Sequence, residues 1–287
     1  MNDDVSIADS QIDSIALGAS GPVVLARPSG FLVWRDCAFA DALLDFATSE
    51  RVATQVARQL LSGCLYSSWN TSPSTAEIPE DRMRRYVYSL CSMYQTTHVT
   101  PATLRRAKRR FLELGDVATA AFVEHKAVEE TNHDILALRD LKAMGLPGEE
   151  LVARIIPQRA RSLVTLFDEL AATDLPYGVL GYIYVLERVA LRTTREDIDT
   201  IRHLAPDGVN ITRCVVVHSA EGADATHVAE IIDYIGTLPR ELRAIACRAV
   251  YRAGAMISAD NAADPARWAL DRLLDEWEWQ PFRGIAH

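Results

Sequence analysis

Residues 122–141 read FVEHKAVEETNHDILALRDL, and the spacing of apolar positions around and within them decides the fold. Ala120, Val123, Ala127, Ala137 and Leu141 fall on one face when the chain is wound at 3.6 residues per turn. Asp116 is placed to cap that helix and Gly145 to stop it, so the pattern predicts one long helix from Asp116 to about Met144. Glu130 lies on the same apolar face, and His133, three residues on, is its neighbour on the helix surface. A carboxylate on such a face must be paired, protonated or metal-bound, because burying it bare costs several kcal/mol. Taken alone, the Glu-x-x-His pair is a weak signal, more commonly a surface ion pair or a set of satisfied core polar groups.

Helical periodicity extends outward in both directions. In EDRMRRYVYSLCSMYQTTH (80–98), Met83, Tyr86, Val87, Leu90 and Tyr94 form an apolar stripe. Thr100 followed by Pro101 predicts an N-cap and the first turn of a new helix over 101–113. Within it, LRRAKRRF (104–111) concentrates Arg105, Arg106, Lys108, Arg109 and Arg110, either as a solvated face or as a docking patch for a carboxylate, a carrier protein or another subunit. Pro157 divides the next helical stretch, Pro176 opens an apolar helix, and Thr194 with Asp197 forms a capping-box pattern. Further helices are predicted over about 210–235, 239–257 and 264–278. Strand signals occur only near the N-terminus, where GPVVLARPSGFLVW (21–34) reads as loop or short strand; residues 36–62 turn helical. SSWNTSPSTAEIP (67–79) is a turn-rich linker. The class is therefore all-α, with residues 1–75 an N-terminal extension and residues 76–287 a helical bundle.

The 287 residues are 49% apolar and carry a formal net charge of −9, which argues against nucleic acid as the main partner. No uncharged apolar stretch approaches the roughly 18 residues of a membrane span. The polar, acidic start does not read as a secretory signal, and five scattered cysteines without a CxxC read as buried free thiols. The expected setting is the cytoplasm.

Two further segments carry candidate ligands. No charged residue stands between Pro176 and Leu186, and Glu187 follows, either near a helix end facing solvent or arginine, or turned inward. In VVVHSAEGADATHVAEIID (215–233), Asp224 and His227 repeat the carboxylate–imidazole spacing of Glu130 and His133. His218 lies six residues before Asp224, about 240° around an ideal helix, so it joins the same face only if the helix is distorted, with Gly222 the place for a kink or bulge. Its alternative is a buried histidine bonded to a backbone carbonyl. Mixed carboxylate and imidazole ligation suits iron or manganese, and no cysteines are spaced for structural zinc.

With EETNHDILALRDLKAMG (129–145), LPYGVLGYIYVLE (175–187) and HSAEGADATH (218–227), the chain over about residues 80–255 resembles the haem-oxygenase-like diiron oxidases and oxygenases, relatives of the thiaminase-like and pyrroloquinoline-quinone-synthase-like bundles. The spacing to Glu187 looks most like the branch with fatty-acid-decarboxylating members. The resemblance implies a bundle of about seven core helices that holds two Fe(II) ions and uses dioxygen as co-substrate. It implies Glu130, His133, Glu187, His218, Asp224 and His227 as metal ligands. Members of the family N-oxygenate amines, desaturate, or cleave carbon–carbon bonds of amino- or fatty-acid-derived substrates in biosynthetic pathways. The chain departs from the family in two places. No Glu stands near Tyr94–His98, where Gln95 and His98 are the substitutes available, and the interval from His218 to Asp224 is long. The partners expected are a small-molecule substrate, a second copy of the chain, and a reductant or carrier protein at the basic helix 101–113, with neither nucleic acid nor membrane among them. The rival readings are a metal-free enzyme on the same bundle and a non-catalytic partner-binding bundle.

Overall fold

The structure, a computed structural model, describes residues 12–18, 21–35, 52–69, 81–219, 224–259 and 263–282. Cys37, Gly222, most of the linker and the first part of the helix predicted over 36–62 lie outside the described residues. Contacts divide the chain into two compact units, one drawn from Met1–Thr71, Thr173–Arg188 and Thr226–Ala259, the other from Ser72–Ala172, Val189–Ala225 and Asp260–His287.

In the first unit, strands β1 (Asp13–Ala16), β2 (Val23–Arg27) and β3 (Gly30–Trp34) form an antiparallel meander in that order, so the N-terminal segment is strand as its composition suggests. The β2–β3 turn is tight, with Arg27 paired to Gly30 across Pro28 and Ser29. Helix α1 (Thr54–Ser68) lies on the sheet, with Gly63 facing the Val24 and Phe31 side chains, and its Leu60, Leu61 and Cys64 are fully buried. Helix α11 (Arg240–Ser258) packs on α1 and is fastened to β1 by a buried ion pair, Arg243 Nε to Asp13 Oδ2 at 2.6 Å. Helix α7 (Gly178–Ala190) meets α11 backbone to backbone, since a Cβ at Gly181 would stand 2.0 Å from the Ala246 carbonyl oxygen.

The second unit is organised around α2 (Arg82–Glu113), which touches α3 (Val117–Glu129), α4 (Asp134–Ala143), α5 (Gly148–Arg154), α6 (Gln158–Ala172) and α12 (Pro265–Glu276). Met83, Tyr86, Val87 and Leu90 are buried as the stripe predicts, each Leu-sized side chain contributing roughly 1.5–3 kcal/mol. Pro101 does not begin a new helix; it sits inside α2. Its missing N–H leaves the Thr97 carbonyl without a helical donor and would ordinarily break the helix, a cost that the packing of α2 against α3, α4 and α6 outweighs. Conversely, the helix predicted from Asp116 to Met144 is two helices, because Asn132 takes a left-handed φ of 70° between α3 and α4. Asn tolerates that conformation better than most residues, and Thr131 turns its hydroxyl back to the Ala127 carbonyl. The helix predicted over 210–235 is likewise interrupted, into α9 (Arg213–Val217) and α10 (Asp224–Thr237). Between α6 and α9 lies the short helix α8 (Arg195–Arg202), opened by the Thr194–Asp197 capping box.

The sequence's basic cluster is largely matched with acids. Arg105 and Lys108 pair with Glu124, Arg106 with Asp168, and Arg110 with Glu113. Cys64, Cys91, Cys214 and Cys247 are buried free thiols. Among the described residues, no helix is long and apolar enough to cross a membrane.

Candidate metal centre

The break between α3 and α4 builds the first group of candidate ligands. Glu130 closes α3 and His133 opens α4, so the tight turn, rather than one continuous helix face, brings them together, with Nδ1 of His133 3.4 Å from a Glu130 carboxylate oxygen. The adjacent Glu129 is engaged elsewhere, 2.8 Å from the ammonium of buried Lys126 and 3.1 Å from His125.

His218 joins them because α9 is held from both sides. Asp140, completely buried on α4, accepts from the backbone amides of Arg213 and Cys214 at 3.2 and 2.8 Å and from the Arg213 guanidinium at 3.1 Å. This carboxylate caps the start of α9 from another helix. Burial pushes its pKa above the usual carboxylate range although these donors pull the other way. Tyr86 donates to the Ile211 carbonyl at 2.6 Å. The chain leaves α9 at His218, whose ring meets that of His133 edge-to-face with centroids 5.0 Å apart. One ligand atom from each of Glu130, His133 and His218 lies within 4.8 Å of the others. That spacing makes the three a candidate group for one metal ion. Burial, then the charges of Asp140 and Glu130, raise the Cys214 thiol pKa well above its ordinary value and keep it a neutral packing group.

In the other unit, Glu187 on α7 and His227 on α10 are both buried, with Nδ1 3.4 Å from a carboxylate oxygen. Glu187 is therefore turned inward. Asp224 opens α10, but its side chain lies outside the described residues. The two substitute ligands have other partners. His98 is exposed, 2.7 Å from Asp134 and stacked on Tyr94, and Gln95 donates to the Val152 carbonyl at 2.7 Å. Neither belongs to the Glu130–His133–His218 group. Periodicity gives Tyr86 a place on the apolar stripe but no partner for its hydroxyl, and gives Asp140 no role. Asp140 carried a signal, since it falls seven residues after His133 and three after Ala137, on the same inward face.

No family model and no curated protein matches the chain. Among solved structures, it is similar to a domain of unknown function with a heme oxygenase-like fold from Shewanella denitrificans OS217. The TM-score is 0.51 and the identity 18%, over 80% of this chain and 91% of that one. Likeness at this identity speaks for the fold: an all-α, haem-oxygenase-like chain whose small sheet forms an N-terminal extension.

Proposed function

On a haem-oxygenase-like fold with this set of side chains, we propose that the protein is a non-haem iron oxidoreductase, using Fe(II) and dioxygen to oxidise a small amino-acid- or fatty-acid-derived substrate. The observation that carries this reading is the convergence of one carboxylate and two imidazoles, Glu130 and His133 from one turn and His218 from a distant segment of the chain. Two imidazoles with one carboxylate suit ferrous iron and leave coordination positions open. Glu187 and His227, with Asp224 by resemblance, would serve a second ion. Bound iron would supply the one-electron and dioxygen chemistry that no amino-acid side chain provides.

The chain's own residues do the rest. Glu130 and Glu187 offset the metal's charge in a poorly solvated setting. His133 and His218 must present a deprotonated ring nitrogen, so binding releases protons and weakens in acid. Asp140 and Tyr86 hold the α9 segment that places His218, at the distance of a supporting shell.

Anaerobic titration with ferrous iron, with metal counted by mass spectrometry, should give more than one ion per chain. His133→Ala and His218→Ala should each weaken one site by at least about tenfold, and the loaded protein should consume dioxygen when air is admitted. A chain that takes up no iron would instead favour a metal-free enzyme or a binding module. Binding unaltered in both variants would remove this group from the site.

A further inference from the structure

Helices α1 and α11 bring two cysteines, far apart in sequence, together in the core of the first unit. Cys64 on α1 and Cys247 on α11 are free thiols that expose no surface, and the two side chains are hydrogen-bonded to each other. The interface around them is tight. One turn beyond Cys64, a Cβ at Gly254 of α11 would collide with the Ser68 hydroxyl and stand 2.9 Å from Leu65 Cδ1. Ser258 of α11 also donates to the Ser68 carbonyl at 3.1 Å, so a second point of contact holds the two helices against each other. Tyr184 on α7 completes the group: burial raises its pKa and both thiols add to that rise, which places the phenol beside the pair. By contrast, Cys91 and Cys214 in the second unit are influenced by no other thiol.

Burial decides what can react with this pair. It pushes the Cys64 thiol well above its ordinary pKa, and the hydrogen bond to Cys247 and the charges of Cys247 and Asp13 push the same way. Little thiolate is therefore present, and the first step of any oxidation is slow. A charged reagent such as oxidised glutathione must shed its hydration to enter such a core, whereas hydrogen peroxide is small and uncharged. Once one sulfur is oxidised, the other is already in contact with it. The second step is then intramolecular and outruns reaction with thiols from solution.

We propose that Cys64 and Cys247 are a dithiol that hydrogen peroxide closes into a disulfide, stapling α1 to α11. One thiolate attacks a peroxide oxygen, the O–O bond breaks, and the departing hydroxide takes up the thiol's proton, leaving a sulfenic acid and water. The sulfur of the second thiol then bonds to the sulfenic sulfur, and its proton leaves with the sulfenic hydroxyl as water. Two thiols and one peroxide thus give one disulfide and two waters. Because α11 holds β1 through Arg243 and Asp13 and meets α7 at Gly181, the staple fixes the helix on which both of those contacts depend. This inference does not depend on the iron reading, because neither cysteine is a candidate metal ligand.

The test treats the full chain, without added metal, with hydrogen peroxide and maps its peptides without reduction. The expected product is a peptide pair joined through Cys64 and Cys247 that dithiothreitol separates. It should form faster with peroxide than with the same concentration of oxidised glutathione. The oxidised chain should melt at least about 5 °C above the reduced one, since a bridge between distant residues restricts the unfolded chain. Cys64→Ala and Cys247→Ala should each lack the cross-link and show no rise in melting temperature on oxidation. Recovery of both cysteines as thiols after peroxide treatment overturns the proposal. So does either cysteine bridged elsewhere or carried on to sulfinic acid, or a cross-linked chain that melts no higher than the reduced one. Oxidised glutathione acting as fast as peroxide overturns peroxide as the reactant. If a variant fails to fold, the peptide map of the parent decides by itself.

Discussion

Replacing Asp140 by alanine takes the acceptor away from two backbone amides and a guanidinium at once. Each buried donor left without a partner costs about 1–3 kcal/mol, so urea unfolding should show a loss of about 3 kcal/mol or more. The same variant should bind iron more weakly at the Glu130–His133–His218 group although it removes no ligand, because His218 follows the segment that Asp140 fastens. Asp140→Asn keeps one acceptor oxygen and should sit between the two. A stability loss with iron affinity untouched would show that α9 finds His218's position without Asp140. Glu187 invites a different expectation, since it is buried with His227 Nδ1 3.4 Å from its carboxylate. Glu187→Ala should leave a folded chain that holds fewer iron ions than the parent. An unchanged iron count would take Glu187 out of the metal reading.

The helical elements were legible where periodicity alone decides them and misread where a side chain overrides it. The stripe through Ala127, Ala137 and Leu141 is buried as expected, but its phase survives the bend at Asn132, so periodicity could not reveal the break. Pro101 misled in the opposite sense, because local propensity marks a boundary that packing along α2 overrides. Helical periodicity brings His218 to the face of Asp224 only through a distortion at Gly222, which lies outside the described residues with the Asp224 side chain; His218 meets Glu130 and His133, a juxtaposition that periodicity does not register. The left-handed residue is the one to test. Asn132→Gly should be close to neutral, whereas Asn132→Val should cost about 1–2 kcal/mol, because a β-branched residue is poorly accommodated at φ 70°. Iron affinity should follow the same order, since the turn sets the distance between Glu130 and His133. Equal stability of the glycine and valine variants, read from chemical denaturation, would mean that the turn reshapes without cost.

At the scale of the whole chain, composition marks a change near residue 75, but no local signal ties Asp13 to Arg243, 230 positions apart. Such long-range pairings are invisible to periodicity, which registers only neighbours along the chain. Asp13 and Arg243 are both essentially without solvent exposure, and Arg243 also donates to the Leu238 carbonyl at 2.6 Å. Removing one partner of a buried ion pair commonly costs about 3–5 kcal/mol, because the other charge stays behind in a poorly solvated interior. Asp13→Ala should therefore destabilise the first unit strongly, even though Asp13 belongs to a four-residue strand at the start of the described chain. Arg240, 3.8 Å from the same carboxylate and 37% exposed, can turn to water and should soften the loss only slightly. The double variant Asp13→Leu/Arg243→Met removes both charges and restores apolar volume, so it should be more stable than Asp13→Ala. It should not reach the parent, because the Leu238 carbonyl loses its donor. Urea denaturation of the parent, the single variant and the double variant, followed by far-ultraviolet circular dichroism, separates these outcomes. A single variant within about 0.5 kcal/mol of the parent, the range of surface substitutions, would show that the sheet is held to α11 by its apolar face alone.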